Sequence, residues 1–257
     1  MKKAIIGGTG VYEGGAPLRQ EQVETAFGTV EMDVVALPSG EEVAFLARHG
    51  KGHSVPPHRI NYRANLKALQ QLGVEQVLAT AAVGSLNANL PPSALVLVED
   101  FLDATRQRPL TFFEGEDGNV QHVGMEEPYC PGLRAQVLSQ ARRSGEHVAE
   151  SGVYVCTEGP RFETAAEIRM YRNWGADVVG MTNVPEVVLA RELGLCYATL
   201  CLVVNMATGI EKSPITSEEI NRVLGDCRDR ATRLFLNTLA QPAPPRTCGC
   251  GRAAMKL

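Results

Sequence analysis

Residues 77–83 read Val-Leu-Ala-Thr-Ala-Ala-Val, a nearly unbroken apolar run. A strand with one wet face alternates apolar and polar residues, so such a run marks a strand covered on both faces. That demands helices above and below a sheet, and the rest of the chain offers them. Ala4-Ile5-Ile6 is a second buried strand that ends in Gly7-Gly8-Thr9-Gly10. Residues 32–37 and 43–47 read as a hairpin through Pro38-Ser39-Gly40. Residues 60–72 have helical periodicity and stop at Gly73. Strands are predicted over 94–98, 152–156, 177–180 and 197–204, and helices over 132–144, 163–174 and 186–193. Pro185 suits a first helical position. Thr216 or Ser217 caps a long last helix, with Glu219 placed as in a capping box. This alternation predicts a single α/β domain, a twisted, mostly parallel or mixed sheet with helices on both faces. Residues 103–130 read as a long irregular excursion. The domain is expected over 1–240, and 241–257, with three prolines, as a poorly ordered tail.

A length of 257 residues suits one large domain. The net charge of −4, a sequence pI near 5.8 and the lack of long basic runs argue against a partner with a nucleic-acid backbone. No segment approaches the ~18 apolar residues of a membrane helix. Met1-Lys2-Lys3 leads into an apolar run that ends almost at once, which reads as a first strand and not a signal peptide. The expectation is a cytoplasmic protein with no membrane contact. Of seven cysteines, those at 130, 156, 196, 201 and 227 read as small buried hydrophobes. Cys248-Gly249-Cys250 stands apart in the tail, open to an inert, redox-active or metal-binding reading. A metal would need two or more further ligands, none of which is evident nearby in sequence.

Ligands of such sheets gather at the carboxyl ends of the strands. Thr9, Arg48, His49, Ala82, Thr182 and Asn205 are all read as lying at such ends. The Gly7-Gly8-Thr9-Gly10 turn can offer backbone N–H groups and a hydroxyl to an anion, or be a plain tight turn. Glu13 at the third glycine position removes the dinucleotide fingerprint, and no Gly-Lys-Ser/Thr makes a Walker loop. Arg48-His49-Gly50-Lys51-Gly52-His53 suits a phosphate, Arg by a bidentate fork and His as a neutral donor. It can also be an ordinary basic loop, while Gly50, Gly52 and Pro56-Pro57 oppose a helical metal site at His49, His53 and His58. Residues 80–86 pair a strand with a small-residue turn, fit for close ligand approach or for close packing. Phe162 can stack on a flat ring and Glu163 accept from a ring N–H, unless Glu163 is a first-turn helix carboxylate.

Several runs are specific enough to decide among these readings. Ile5-Ile6-Gly7-Gly8-Thr9-Gly10, Ala47-Arg48-His49-Gly50, Asn61-Tyr62-Arg63-Ala64-Asn65 and Glu158-Gly159-Pro160-Arg161-Phe162-Glu163 come first. Trp174-Gly175-Ala176-Asp177 and residues 180–192 from Gly180-Met181-Thr182-Asn183 follow. Together they resemble the trimeric purine nucleoside phosphorylase and methylthioadenosine phosphorylase family. The resemblance implies metal-free phosphorolysis of a purine nucleoside, with phosphate as co-substrate, no cofactor and a homotrimer. It assigns phosphate binding to Thr9, Arg48, His49, the Ala82 backbone and Thr182. Met181 would lie against the ribose, and Phe162, Glu163 and Asn205 would hold the base, with Asn205, Glu163 and His49 expected to be catalytic. Ala81 departs from the Thr of the methylthioadenosine branch, and the missing hydroxyl is expected to weaken one phosphate contact. That branch also uses aspartate where Asn205 stands and serine where Glu163 stands, so both residues point to a 6-oxopurine. The histidine that bonds a 5′-hydroxyl in the ordinary nucleoside branch has no counterpart, since all five histidines precede residue 150. Ile215 offers an apolar wall in its place. The expected substrate is therefore 5′-methylthioinosine, with inosine or guanosine, then methylthioadenosine, as alternatives.

Overall fold

The computed structural model describes residues 1–8, 17–37, 39–115, 118–211 and 216–256. The chain opens with β1 (Lys3–Gly7), β2 (Arg19–Thr25), β3 (Gly28–Ala36) and β4 (Glu42–Ala47). Helix α1 (Tyr62–Gln71) leads to β5 (Gln76–Ser85), β6 (Leu95–Leu97), β7 (Asp100–Ala104) and β8 (Gln121–Val123). Then come α2 (Pro131–Ser144), β9 (Val148–Ala149), β10 (Val153–Thr157), α3 (Ala165–Asn173) and β11 (Val178–Gly180). The last elements are α4 (Asn183–Glu192), β12 (Cys196–Met206), α5 (Ser217–Leu239) and β13 (Ala254–Lys256).

The apolar run sits in β5, at the centre of a mixed sheet. Parallel β12 follows one edge of β5 from Gln76 to Ser85. The other edge changes hands. Parallel β1 occupies it up to Ala79, and antiparallel β11 takes it at Gly84 and Ser85. Beyond β1 lie β4, β3 and β2, and beyond β11 lie β10 and β7. Where β1 leaves and β11 begins, the sheet opens a crevice at the carboxyl end of β5, the place where α/β sheets receive ligands.

Burial on both faces follows from side-chain alternation. Val77, Ala79, Ala81 and Val83 join a core with Leu66 and Leu69 of α1 and Val187 and Leu189 of α4. Leu78 points the other way, into a core with Leu133 and Val137 of α2 and Leu234 and Phe235 of α5. The expected single α/β domain with helices on both faces is what the chain forms.

Four features differ from the expectation. Strand β2, Arg-Gln-Glu-Gln-Val-Glu-Thr, is an edge strand held to β3 by its backbone ladder, so it carries no apolar signature. The excursion over 103–130 is not wholly irregular: it contains the end of β7 and all of β8. The tail is not poorly ordered either, since residues 249–252 form a 3₁₀ turn and β13 pairs antiparallel with β8. Helix α3 starts after Glu163, because Thr164 and Glu167 make a reciprocal capping box there. The Glu219 side chain predicted to cap α5 lies outside the described residues.

Candidate active site

A cavity of about 410 Å³ occupies the crevice. Arg48, His49, Ala82, Phe162, Glu163, Met181, Thr182 and Asn205, nominated from five separated stretches of sequence, all line it. Thr9 and Ile215 lie outside the described residues.

Arg48 and His49 follow the last residue of β4, whose register with β1 brings them beside Gly8. Gly8 is required there, because a Cβ would stand 2.6 Å from the Thr80 carbonyl oxygen. The Gly8 N–H donates to Thr80 Oγ1 at 2.9 Å, so it is spent inside the protein and not offered to an anion. The bidentate fork expected of Arg48 is likewise already used. Its Nε and Nη2 donate to the two carboxylate oxygens of Glu186, each at 2.6 Å, and Nη1 donates to Thr80 O at 2.8 Å. Both members of the pair are buried, with side-chain exposures of 1% and 0%. Burial works against the Arg48 charge, but the Glu186 carboxylate more than offsets it and raises the pKa. Tyr197 Oη also donates to Glu186, at 2.7 Å, and Thr199 donates to Tyr197. A guanidinium has five N–H groups. Three are used here, and the rest are what Arg48 can give a ligand.

The role expected of His49 must also change. Its Nδ1 lies 2.9 Å from the Val55 carbonyl oxygen, an obligate acceptor, so Nδ1 carries the proton. Burial and the adjacent Arg48 charge pull the imidazole pKa from 6.5 down to about 4. The ring is neutral at pH 7 and its Nε2 is an acceptor, not a donor. Its partner in the cavity must therefore bring a hydrogen. The His53 ring stacks on it, with centroids 4.5 Å apart.

Thr182 and Met181 follow β11 where it replaces β1 beside β5. Thr182 stands at the N-cap of α4 without spending its side chain on the cap. Met181 packs against Gly159, where a Cβ would come within 2.6 Å of the Met181 sulfur. Ala82 and Asn205 lie within β5 and β12, a little before their ends. Asn205 sits just past an irregularity in the ladder with β5 at Val203/Asn205, the kind of break that re-aims a side chain. Its Nδ2 donates to Met206 O at 2.7 Å, leaving one amide hydrogen and the carbonyl oxygen.

Glu163 is buried at 8% exposure and precedes the N-cap of α3, so it is not a first-turn helix carboxylate. Glu167 fills that position. Thr157 at the end of β10 donates its hydroxyl to Glu163 Oε1 at 2.6 Å. Phe162 is 58% exposed at the mouth.

Sequence reasoning missed Glu186, Tyr197, Thr157, Ile220 and Arg108. Arg108 comes from the excursion. Its guanidinium donates to the carbonyls of Val184, Thr157 and Glu158 at 2.5, 3.2 and 2.7 Å, tying the strand that ends before Glu163 to the start of α4. Ile220 of α5 supplies an apolar side of the cavity.

Known proteins resemble the chain in sequence and fold. The profile of the Phosphorylase superfamily matches residues 2–240. A probable 6-oxopurine nucleoside phosphorylase of Dictyoglomus turgidum is 49% identical, over 98% of this chain and 96% of its own. A probable S-methyl-5′-thioinosine phosphorylase of Methanopyrus kandleri is 48% identical, over 97% of this chain and 96% of its own. A methylthioadenosine phosphorylase crystal structure from an antarctic soil metagenomic library is 35% identical. It superposes with a TM-score of 0.90, over 98% of this chain and 90% of that one. With the family profile matched over residues 2–240 and relatives nearly half identical along the whole length, the chain belongs to the Phosphorylase superfamily.

Proposed function

We propose that the chain is a phosphate-dependent 6-oxopurine nucleoside phosphorylase. Its preferred substrate in this reading is 5′-methylthioinosine, and its products are hypoxanthine and 5-methylthioribose 1-phosphate. The observation that carries this is Glu163 and Asn205 lining one cavity. A carboxylate only accepts, and the Thr157 hydroxyl occupies one of the Glu163 oxygens. The other suits the N1–H of a 6-oxopurine, which adenine lacks. Asn205 can donate to O6 and accept from N7 once N7 takes up a proton. Each mismatch with adenine would leave a buried polar group unpaired, at roughly 1–3 kcal/mol.

Phosphate sits on the other side of the cavity, near Arg48, His49, Thr182 and the Ala82 backbone. The acceptor Nε2 of His49 suits the one hydroxyl of a hydrogen phosphate dianion. With the Arg48 charge balanced by Glu186, the site holds the anion largely through oriented dipoles. The glycosidic bond lengthens toward an oxocarbenium ion while Asn205 and Glu163 stabilise charge moving onto the purine. The dianion faces the cationic sugar and adds to C1′ with inversion, so no protein nucleophile is required.

Ile220, Pro56 and Pro57 line the cavity and favour an apolar 5′ group such as methylthio. Plain inosine or guanosine is the near alternative, favoured by the polar ring of His53 in the same cavity. The assembly that goes with this reading is a homotrimer, and light scattering should give three times the 27.7 kDa of one chain. Among the described residues no helix is long and apolar enough to cross a membrane. The deciding experiment compares initial rates on methylthioinosine, inosine and methylthioadenosine, each with and without phosphate. Methylthioinosine faster by tenfold or more, only with phosphate, supports the whole reading. Inosine fastest removes the apolar 5′ pocket, methylthioadenosine fastest removes the base assignment, and turnover without phosphate removes phosphorolysis.

A further inference from the structure

The two tail cysteines do have further ligands, brought from far away in sequence. The Sγ atoms of Cys130, Cys196, Cys248 and Cys250 all lie within 4.8 Å of one another. All four are free thiols, three buried and Cys248 half-buried. Each is set by a different piece of the fold. Cys130 is the N-cap of α2, and its N–H donates to Tyr197 O at 2.8 Å, which seats it beside the first residue of β12, Cys196. Cys248 caps the 3₁₀ turn that contains Cys250. Glycines on both sides of Cys250 let so tight a turn aim two sulfurs at one point. The turn is docked by Arg246, which donates to Gly194 O just ahead of β12.

We propose that these four cysteines form a structural tetrathiolate site for a divalent zinc ion. Four thiolates closing around one centre at Zn–S ≈ 2.3 Å give sulfur–sulfur edges of about 3.8 Å. The Cys196–Cys248 separation is 3.5 Å, in keeping with such an edge and well beyond a sulfur–sulfur bond of about 2.05 Å. The surroundings are those of bound thiolates. The Leu133 N–H donates to Cys130 Sγ at 3.4 Å, and Arg191 Nη1 donates to Cys250 Sγ at 3.4 Å. Arg191 is an independent sign. It is 5% exposed, and its guanidinium donates to the Gly124 carbonyl oxygen and to Cys250 Sγ. Among the described residues no carboxylate pairs with it. A buried guanidinium needs a counter-charge, and zinc with four thiolates carries two negative charges. Oxygen-seeking cations such as magnesium do not suit four sulfurs, whereas zinc does.

With four protein ligands the site has no open position, so it serves structure and not catalysis. It also lies at the opposite end of the sheet from the chemistry. Cys196 begins β12 and Asn205 nearly ends it, about 30 Å away at ~3.3 Å per residue. Zinc enters as the free cation, and the four thiols release their protons to solvent. A cavity of about 530 Å³ lined by Cys130, Cys196, Arg246 and Cys248 gives it a way in.

The test uses the full chain purified under reducing conditions without chelator, followed by metal analysis and thiol counting. One zinc per chain should survive gel filtration in the parent and in Cys227→Ala, and be lost in the Cys248→Ser/Cys250→Ser double variant. Cobalt titrated into the metal-free protein should give the charge-transfer and d–d bands of tetrahedral thiolate cobalt. Activity of the double variant at 25 °C should stay within about twofold of the parent. Metal-free protein with seven titratable thiols, or a mass lower by the four hydrogens of two disulfides, overturns the proposal. Stoichiometric iron instead overturns the zinc assignment. If the double variant does not fold, the parent's metal content and the cobalt spectrum still decide.

Discussion

Arg48 meets the cavity already held by a carboxylate 138 positions further along the chain. That pairing bears on stability and, in the proposed reading, on phosphate affinity. Glu186→Gln keeps the shape but strands a buried charge, a loss of about 3–5 kcal/mol when one partner of such a pair is removed. The freed charge favours an anion, so phosphate should raise the melting temperature of Glu186→Gln more than that of the parent in a thermal shift series. His49 adds a pH effect of defined sign. Its pKa is depressed from 6.5 to about 4 in the folded chain, so its contribution is fully present above pH 6.5 and is lost as pH falls through 4. The unfolded chain takes up a proton first, at a cost of about 3 kcal/mol at the low end. Urea unfolding between pH 7 and 4 should show this loss, and His49→Gln should flatten it while raising the phosphate KM. At the base, Asn205→Asp with Glu163→Ser should shift the preference from methylthioinosine toward methylthioadenosine by roughly 30-fold or more, as two mismatches at about 1–3 kcal/mol each imply. An unchanged ratio of kcat/KM values would remove these two residues from base recognition. Arg48, His49, Glu163 and Thr182 could be nominated because each belongs to a run that its neighbours mark, and Asn205 because it follows an apolar strand. Glu186 was written inside such a run, yet its partner is fixed only by how β4 and α4 meet across the sheet.

At the scale of elements, the side of the cavity formed by Phe162 and Glu163 depends on a segment that sequence left shapeless. The stretch between β7 and β8 has no apolar period, because its hold on the fold is polar: the Arg108 guanidinium satisfying carbonyls of β10, the loop after it and α4. The same reason hides β2, whose side chains are mostly exposed and whose ladder to β3 uses backbone groups any residue has. The buried strands β1, β5 and β12 were readable since burial on both faces leaves a continuous apolar run. Arg108 acts on the reaction only through what it holds. Arg108→Met should therefore leave phosphate KM nearly unchanged and raise nucleoside KM about tenfold, since the loop bearing Phe162 and Glu163 loses its tie. Equal effects on both KM values would mean general loosening of the fold, and near-normal constants would mean the tie is dispensable.

For the whole molecule, one sheet separates two tasks. Its carboxyl-terminal edge, where β1 gives way to β11, is opened for chemistry. Its opposite edge is closed by the end of α5 and the tail: Lys3 Nζ donates to Leu239 O at 2.6 Å and to Gln241 O at 3.4 Å, Arg246 holds Gly194, and β13 zips onto β8. The closure could not be read in advance, because its cysteines come from α2, β12 and the tail, a convergence that only the folded topology creates. Helix α4 joins the two ends, with Thr182 and Glu186 at one and Arg191 at the other. If the ends are energetically separate, removing residues 241–257 should lower stability without touching catalysis. The deletion removes the β8–β13 ladder, the buried Cys250 and Ala253, and two of the four convergent sulfurs. Loss of about 2 kcal/mol would lower the melting temperature of a chain this size by some 4–8 °C, while kcat/KM at 25 °C should change less than about threefold. A melting temperature unchanged by the deletion would show the tail to be a passenger. A phosphate KM raised tenfold with only a small melting shift would show instead that α4 couples Arg191 to the phosphate site, and the two ends of the sheet would have to be treated as one.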